Sequence, residues 1–306
     1  MAAESDPKGV RLDYFIVDVF SESALAGNPL AVVMDTAGLA TETMQAIARE
    51  FNLSETTFVQ RREAAVEQAE GVRVRIFTTE EELQFAGHPT LGTASVLKVT
   101  APETVREGVV TLRENVGPIP VRFDGEGLFG EMTQGDPEFG IELDAGEVAG
   151  LCGLEAKDLD GAHAPQVVST GAAFAVVMLR SVEALGRLRV RQQEATAWLR
   201  DRGARWFYVL APDDARDENG TKSFCARMQF HSGEDPATGS GAGCAIAYMV
   251  RRNIVLSDER IHVRQGLEIH RPSDLYLTAR ERGGKVREVR VAGCTVAVAR
   301  GELFLP

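Results

Sequence analysis

Two stretches of small and apolar residues, about 150 positions apart, set the terms on which this chain can fold. One holds Leu91, Gly92, Ala94, Val96 and Leu97. The other holds Gly241, Ala242, Gly243, Cys244, Ala245, Ile246 and Ala247. Each has helical length, and a helix that is apolar nearly all round has to be buried on every side. Curved antiparallel strands wrapped round it meet that demand, so two such helices predict two similar halves. A weak internal echo agrees: Phe85-Ala-Gly-His-Pro-Thr90 precedes the first helix and Glu234-Asp-Pro-Ala-Thr-Gly239 the second. The Gly-, Pro- and acid-rich stretch from Gly125 to Gly140 is the expected boundary.

The remaining pattern is mostly short strands. Val72-Arg-Val-Arg-Ile-Phe77 alternates apolar and basic residues, as a half-buried strand does. Further strands are expected at 11–20, 30–34, 109–113, 119–123, 128–133, 166–170, 174–180, 206–210, 223–230, 261–265, 275–280 and 286–298. Helices are expected at 42–51, 89–98, 191–202 and 239–252. In the first of these Met44, Ile47, Ala48 and Phe51 share a face, and Asn52 suits the C-terminal cap. Asp213 to Gly220 reads as a charged surface loop.

Composition narrows the function. The 306 residues carry a formal charge of −12, which disfavours nucleic acid and anionic membranes as partners, since phosphates demand surplus Lys and Arg. The polar stretch Met1 to Lys8 lacks the apolar core of a signal peptide, and no apolar run reaches membrane-span length. The four cysteines are scattered, with no CxxC pair, and read as reduced core thiols in a cytoplasmic protein. No HExxH, GxSxG, Walker loop or post-strand GxGxxG occurs, which disfavours the common metal, nucleotide and serine-hydrolase sites.

Chemistry is expected where the two apolar helices begin. The first turn of a helix offers free N–H groups and a positive dipole end, and Gly87, Gly239 and Gly241 let a ligand come close to the backbone. Pattern alone leaves each polar residue here open. Asp235-Pro236 reads first as a helix start, with Asp as cap; otherwise it orients a substrate amine or hydroxyl. His88-Pro89 is equally a structural helix start or a neutral imidazole whose pKa the dipole lowers. Glu55, in Leu53-Ser-Glu-Thr-Thr-Phe58, is either an exposed loop acid or a general base raised by burial. His231 and His262 read as ordinary strand or loop residues.

The ordered motifs resemble the PhzF-like phenazine-biosynthesis family. They are Gly27-Asn-Pro-Leu-Ala-Val-Val33, Leu53-Ser-Glu-Thr-Thr-Phe58, Phe77-Thr78 with Glu82, Phe85-Ala-Gly-His-Pro-Thr-Leu-Gly92 and Glu234-Asp-Pro-Ala-Thr-Gly-Ser240. Ser169-Thr-Gly171, Gln265-Gly266 and Arg271-Pro-Ser273 follow. The resemblance implies an α+β fold of the diaminopimelate-epimerase type: two similar halves, each a curved, mostly antiparallel barrel-like sheet round a central helix. It implies a first half of residues 1–130 plus 294–306, a second of 131–293, the active site between them, and a homodimer. It further implies a cofactor-independent isomerase acting on a small carboxylated substrate. Glu55 would move the proton, His88 and Asp235 would assist, and Ser54, Gly87, Gly239 and Ser240 would bind the substrate. An epimerase, racemase or dehydratase in the same cleft, or a silent carboxylate-binding relative, are the alternatives. Cys244 sits within the second helix, unlike the paired thiols of the related racemases. The chain departs from the family pattern at Gln84 (often Pro), Gly241 (usually Ala) and His270 (commonly Gly). His270 is a candidate for lining the cleft.

Overall fold

The computed structural model describes residues 9–216, 220–230 and 233–305. Met1 to Lys8 and His231 therefore lie outside the described residues. The first part of the chain forms β1 (Val10–Val19), β2 (Asn28–Val33), β3 (Glu55–Gln60), β4 (Val72–Phe77), β5 (Glu82–Leu83), β6 (Val109–Glu114), β7 (Gly117–Phe123), β8 (Gly130–Thr133) and β9 (Glu138–Glu142). The second forms β10 (Gln166–Ser169), β11 (Ala173–Met178), β12 (Trp206–Arg216), β13 (Lys222–Arg227), β14 (Gln229–Phe230), β15 (Gly233–Glu234), β16 (Ile261–Gln265), β17 (Ser273–Arg282), β18 (Lys285–Gly293) and β19 (Thr295–Leu305). The helices are α1 (Thr41–Phe51), α2 (Ala64–Glu70), α3 (Gly87–Thr100), α4 (Ala145–Leu151), α5 (Val182–Gly186), α6 (Gln192–Arg200) and α7 (Gly239–Arg251).

Strand pairing reveals a repeat. β1–β2 is antiparallel, β2–β3 parallel, β3–β4 antiparallel, β4–β6 parallel, and β6–β7 and β7–β8 antiparallel. β10–β11, β11–β12, β12–β13, β13–β16, β16–β17 and β17–β18 run through the same series in the same order. In each series the second parallel crossover contains the buried helix, α3 or α7. Parallel neighbours need such a long connection, and here it passes through the core instead of over the sheet.

Each helix is enclosed as its composition demands. Every residue of α3 from Gly87 to Leu97 is buried, and so is every residue of α7 from Gly239 to Val250 except Ser240. α3 packs on β1, β2, β3, β6, β7 and β8; α7 packs on β10, β11, β12, β17 and β18. The expected α+β architecture of two similar halves is thus the one observed. The β8–β18 pairing joins the two sheets. The halves also exchange their outer strands: β9 pairs with β10, and β19 with β1. Among the described residues no helix is long and apolar enough to cross a membrane.

The four expected helices are present, and Asn52 caps α1 in the left-handed conformation (φ 51°), its N–H donating to Ala48 O at 3.1 Å. Three expectations need correction. Residues 286–298 are two strands: the Cys294 carbonyl accepts from Phe20 N and Ser21 N, which turns the chain out of β18 and onto β1. The stretch after residue 213 is strand as far as Arg216, paired with β13 through a register shift between Asp213 and Arg216, and residues 217–219 lie outside the described set. Glu55, open between a loop acid and a buried base, opens β3 opposite Leu30 in parallel register. All four cysteines are free, but Cys294 is only half-buried, not a core thiol.

Candidate active site

The two buried helices meet at their N-termini. A Cβ added to Gly87 would lie 2.7 Å from Ser240 N and 2.8 Å from the Gly239 carbonyl carbon. Only glycine permits that approach, because the atoms opposite are backbone and cannot rotate away. Each helix thus brings its free N–H groups to the same place, one from either half.

Around this contact stand the polar residues singled out from sequence. His88 is in the first turn of α3, with 5% of its side chain exposed, and Glu55 has 17%. Glu55 Oε2 lies 3.4 Å from His88 Nε2. Both atoms are buried and neither has a hydrogen-bond partner. Burial pushes His88 down to about 3, so its imidazole is neutral. The downward direction is as expected, but the cause is loss of solvent, not the helix dipole. Burial first, and then the nearby Asp235 charge, push Glu55 up to about 8.

Asp235 does not cap α7. The helix begins at Gly239 with Thr238 as its cap, three residues further on. Instead Asp235 is buried and accepts two hydrogen bonds: Thr238 Oγ1 donates to Oδ2 at 2.6 Å and Asn28 Nδ2 to Oδ1 at 2.8 Å. Burial pushes it up to about 6, while these donors hold it down. Glu55 and Asp235 are therefore separated by environment. Between about pH 6 and pH 8 the first is an acid and the second a carboxylate.

A chain of donors fixes this arrangement. Tyr208 OH donates to Gln265 Oε1 at 3.1 Å, and Gln265 Nε2 donates to Thr238 Oγ1 at 2.9 Å and to Asp235 O at 2.9 Å. Asp235's neighbour Glu234 is gripped by the Arg227 guanidinium, 2.5 Å away. Gln134 Nε2 donates to Gly239 O at 2.9 Å and its Oε1 accepts from Thr170. Ser54 and Ser240 are half-buried, Ser54 next to Glu55 in sequence and Ser240 with its backbone N against Gly87.

A cleft of about 530 Å³ opens between the halves beside the site. Phe85, Gln134 and Gly171 line it, whereas Glu55, His88 and Asp235 are enclosed and do not. Asn28 is the site residue that sequence reading missed; it stood only within the motif Gly27-Asn-Pro-Leu-Ala-Val-Val33, with no role of its own. The three departures have distinct positions. Gly241 is required by Tyr208, whose ring carbon Cδ2 would lie 2.6 Å from an added Cβ. His270 is exposed with φ 58°, a backbone shape that suits glycine; it lies on the surface and does not line the enclosed site. Gln84 is exposed next to buried Phe85.

The family model for phenazine biosynthesis-like proteins (PhzC-PhzF) matches residues 17–301. An uncharacterized isomerase of Mesorhizobium japonicum is 38% identical, over 96% of this chain and 99% of its own. The trans-2,3-dihydro-3-hydroxyanthranilate isomerase of Pseudomonas aeruginosa is 34% identical, over 95% and 99%. A solved PhzF-family phenazine biosynthesis protein of Bacillus anthracis superposes with a TM-score of 0.83, covering 96% of this chain and 99% of its own at 24% identity. The repeat of strands, the paired helix ends and these likenesses lead to one assignment: the chain belongs to the phenazine biosynthesis-like (PhzC-PhzF) family and is an enzyme of the isomerase class.

Proposed function

We propose that the chain isomerises a small carboxylated substrate by moving a proton between two carbons, with Glu55 as the acid and base. One observation carries the reading. Glu55 Oε2 and His88 Nε2 face each other 3.4 Å apart, buried and unpartnered, and a buried polar pair left unsatisfied is costly unless something else is to bind there. Residues 1–130 with 294–306 form one wall and residues 131–293 the other, with Asp235 on the second.

The chemistry follows from the charges. Removing a proton beside a carbonyl or imine builds negative charge, which N–H groups at Gly87, Gly239 and Ser240 would stabilise. A substrate group that donates to Asp235 would mask its charge, lower Glu55 towards its ordinary range and release it as a base. No thiol takes this role: burial pushes Cys244 up to about 11, and its sulfur donates to Ala172 O. No cofactor or metal enters the reading, and a cytoplasmic location goes with it.

The same reading takes the protein to be a homodimer. β19 is a sheet edge among the described residues, with Val298 37% and Phe304 59% exposed. A two-fold axis at Gly301 would set Arg300 of each copy against Glu302 of the other.

The test is turnover in heavy water with a panel of small carboxylated compounds, including trans-2,3-dihydro-3-hydroxyanthranilate, the compound named for the Pseudomonas aeruginosa relative. The expected result is an isomer carrying one solvent-derived deuterium. Tight binding across the panel without exchange or turnover would make the chain a silent binder.

A further inference from the structure

We infer that Asn28 is a positioning residue: its side-chain amide fixes which ring nitrogen of His88 carries the proton, and ties that choice to Asp235 on the other half. This goes a step beyond the proposed function and rests on it for its catalytic consequence, though not for its geometry.

Asn28 opens β2 and is fully buried. The turn before it is tight: Gly27 has φ 68°, and a Cβ there would lie 2.4 Å from Val19 O. The Asn28 side chain thereby crosses from the first half to the second. Its Nδ2 lies 2.8 Å from Asp235 Oδ1, 2.8 Å from Ala237 O and 3.2 Å from His88 Nδ1. Two of these neighbours are oxygens that accept, so the amide has one sensible orientation. Turning it over would press Oδ1 against both. An amide nitrogen only donates. The amide has two hydrogens for three neighbours, so one is shared with the His88 nitrogen, which presents a lone pair because the amide nitrogen offers no acceptor for an N–H.

A neutral imidazole with a bare Nδ1 carries its hydrogen on Nε2. That is the atom 3.4 Å from Glu55 Oε2. His88 thus offers a donor towards Glu55 and the substrate space, and it does not accept a proton there. The other end of the amide is equally determined. Thr238 Oγ1 accepts from Gln265, so its one hydrogen goes to Asp235 Oδ2. With Asn28 donating to Oδ1, both oxygens of Asp235 are acceptors. One amide therefore holds a donor in the first half and an acceptor in the second, before any substrate arrives.

The experiment is long-range proton–nitrogen NMR of the full chain labelled with ¹⁵N-histidine. The His88 signals are identified by their absence in His88→Asn. The expected spectrum shows His88 as the Nε2–H tautomer. Asn28→Asp replaces the donor by an acceptor and is expected to give the Nδ1–H tautomer, with kcat/KM reduced at least about tenfold. A wild-type spectrum with hydrogen on Nδ1, or an Asn28→Asp spectrum unchanged from wild type, overturns the inference. If Asn28→Asp does not fold, the wild-type spectrum alone decides. Failure of the catalytic reading looks different: Glu55→Gln would keep wild-type exchange while the tautomer assignment stood.

Discussion

Glu55 and His88 come from different crossovers of the first half, β3 and α3, and still meet with Oε2 and Nε2 3.4 Å apart. Neither atom is satisfied within the chain. Asp235 is held by Asn28 and Thr238, Thr238 by Gln265 and Gln265 by Tyr208, while Asn28 Oδ1 is, like Glu55 Oε2 and His88 Nε2, buried without a partner. This network frames unpartnered polar atoms, and among them is an acid whose pKa is displaced towards neutrality. Such displacement is what proton transfer at neutral pH requires.

The pH dependence of kcat/KM should report Glu55. Its pKa is raised to about 8, so the base form is the minor one at pH 7. A reaction that begins with proton abstraction is expected to speed up as pH rises, half-maximally near 8, and then to level off. Asp235→Asn removes the negative charge that contributes to the rise, so the Glu55 midpoint is expected to move down. Carbon-13 NMR of the Glu55 carboxyl measures this in the variant even if turnover is lost.

Glu114 gives a stability counterpart. It is 2% exposed, and burial pushes it up to about 8. Thr90 Oγ1 lies 2.7 Å from Ala86 O and 2.6 Å from Glu114 Oε1 but has a single hydrogen. The carbonyl can only accept, so the second contact is made by a proton on Glu114. An acid whose folded pKa is raised binds a proton that the unfolded chain releases. Its contribution is therefore whole below about 4.5 and is lost as pH climbs to about 8. One proton corresponds to about 1.4 kcal/mol per pH unit in that window. Glu55 acts in the same direction. Glu114→Gln is expected to make the fall in stability from pH 5 to pH 8 shallower, as read by urea unfolding at each pH. An unchanged slope would mean Glu114 is ionised in the fold.

Gly87→Ala tests the contact between helix ends. The new methyl would meet backbone at 2.7 Å, so the two halves have to separate. A loss of about 1–3 kcal/mol in stability is expected, with a larger proportional loss of activity, since the helix ends are displaced together. Gly127→Ala, where nothing lies within 4 Å of the added carbon and the backbone is not left-handed, is the control.

The sequence was most legible where composition alone forces burial. The small-residue runs of α3 and α7 could only be core helices, and the two-half architecture followed. The short loops at Glu55, His88 and Asp235 were legible through their resemblance to a family. Asn28 was not, because Asn before Pro is common in turns and its partners lie 60 and 207 positions away. The strand break at Cys294 was not legible in the pattern, since the apolar alternation of β18 runs on into β19, and only the family resemblance put a boundary there. What separates them is a pair of hydrogen bonds to Phe20 and Ser21 that no local pattern announces. Pattern alone left Glu55 open between a loop acid and a base for the same reason: its enclosure is made by segments distant in sequence.

The central claim is that the Glu55 carboxyl carries the proton. The most direct measurement is the rate of solvent deuterium entry into a turned-over substrate, compared between wild type and Glu55→Gln. The amide keeps the shape of the side chain and cannot exchange a proton as a base. Exchange is expected to fall by about 10²- to 10⁴-fold with the fold and ligand affinity retained. Exchange at the wild-type rate in Glu55→Gln would contradict the account.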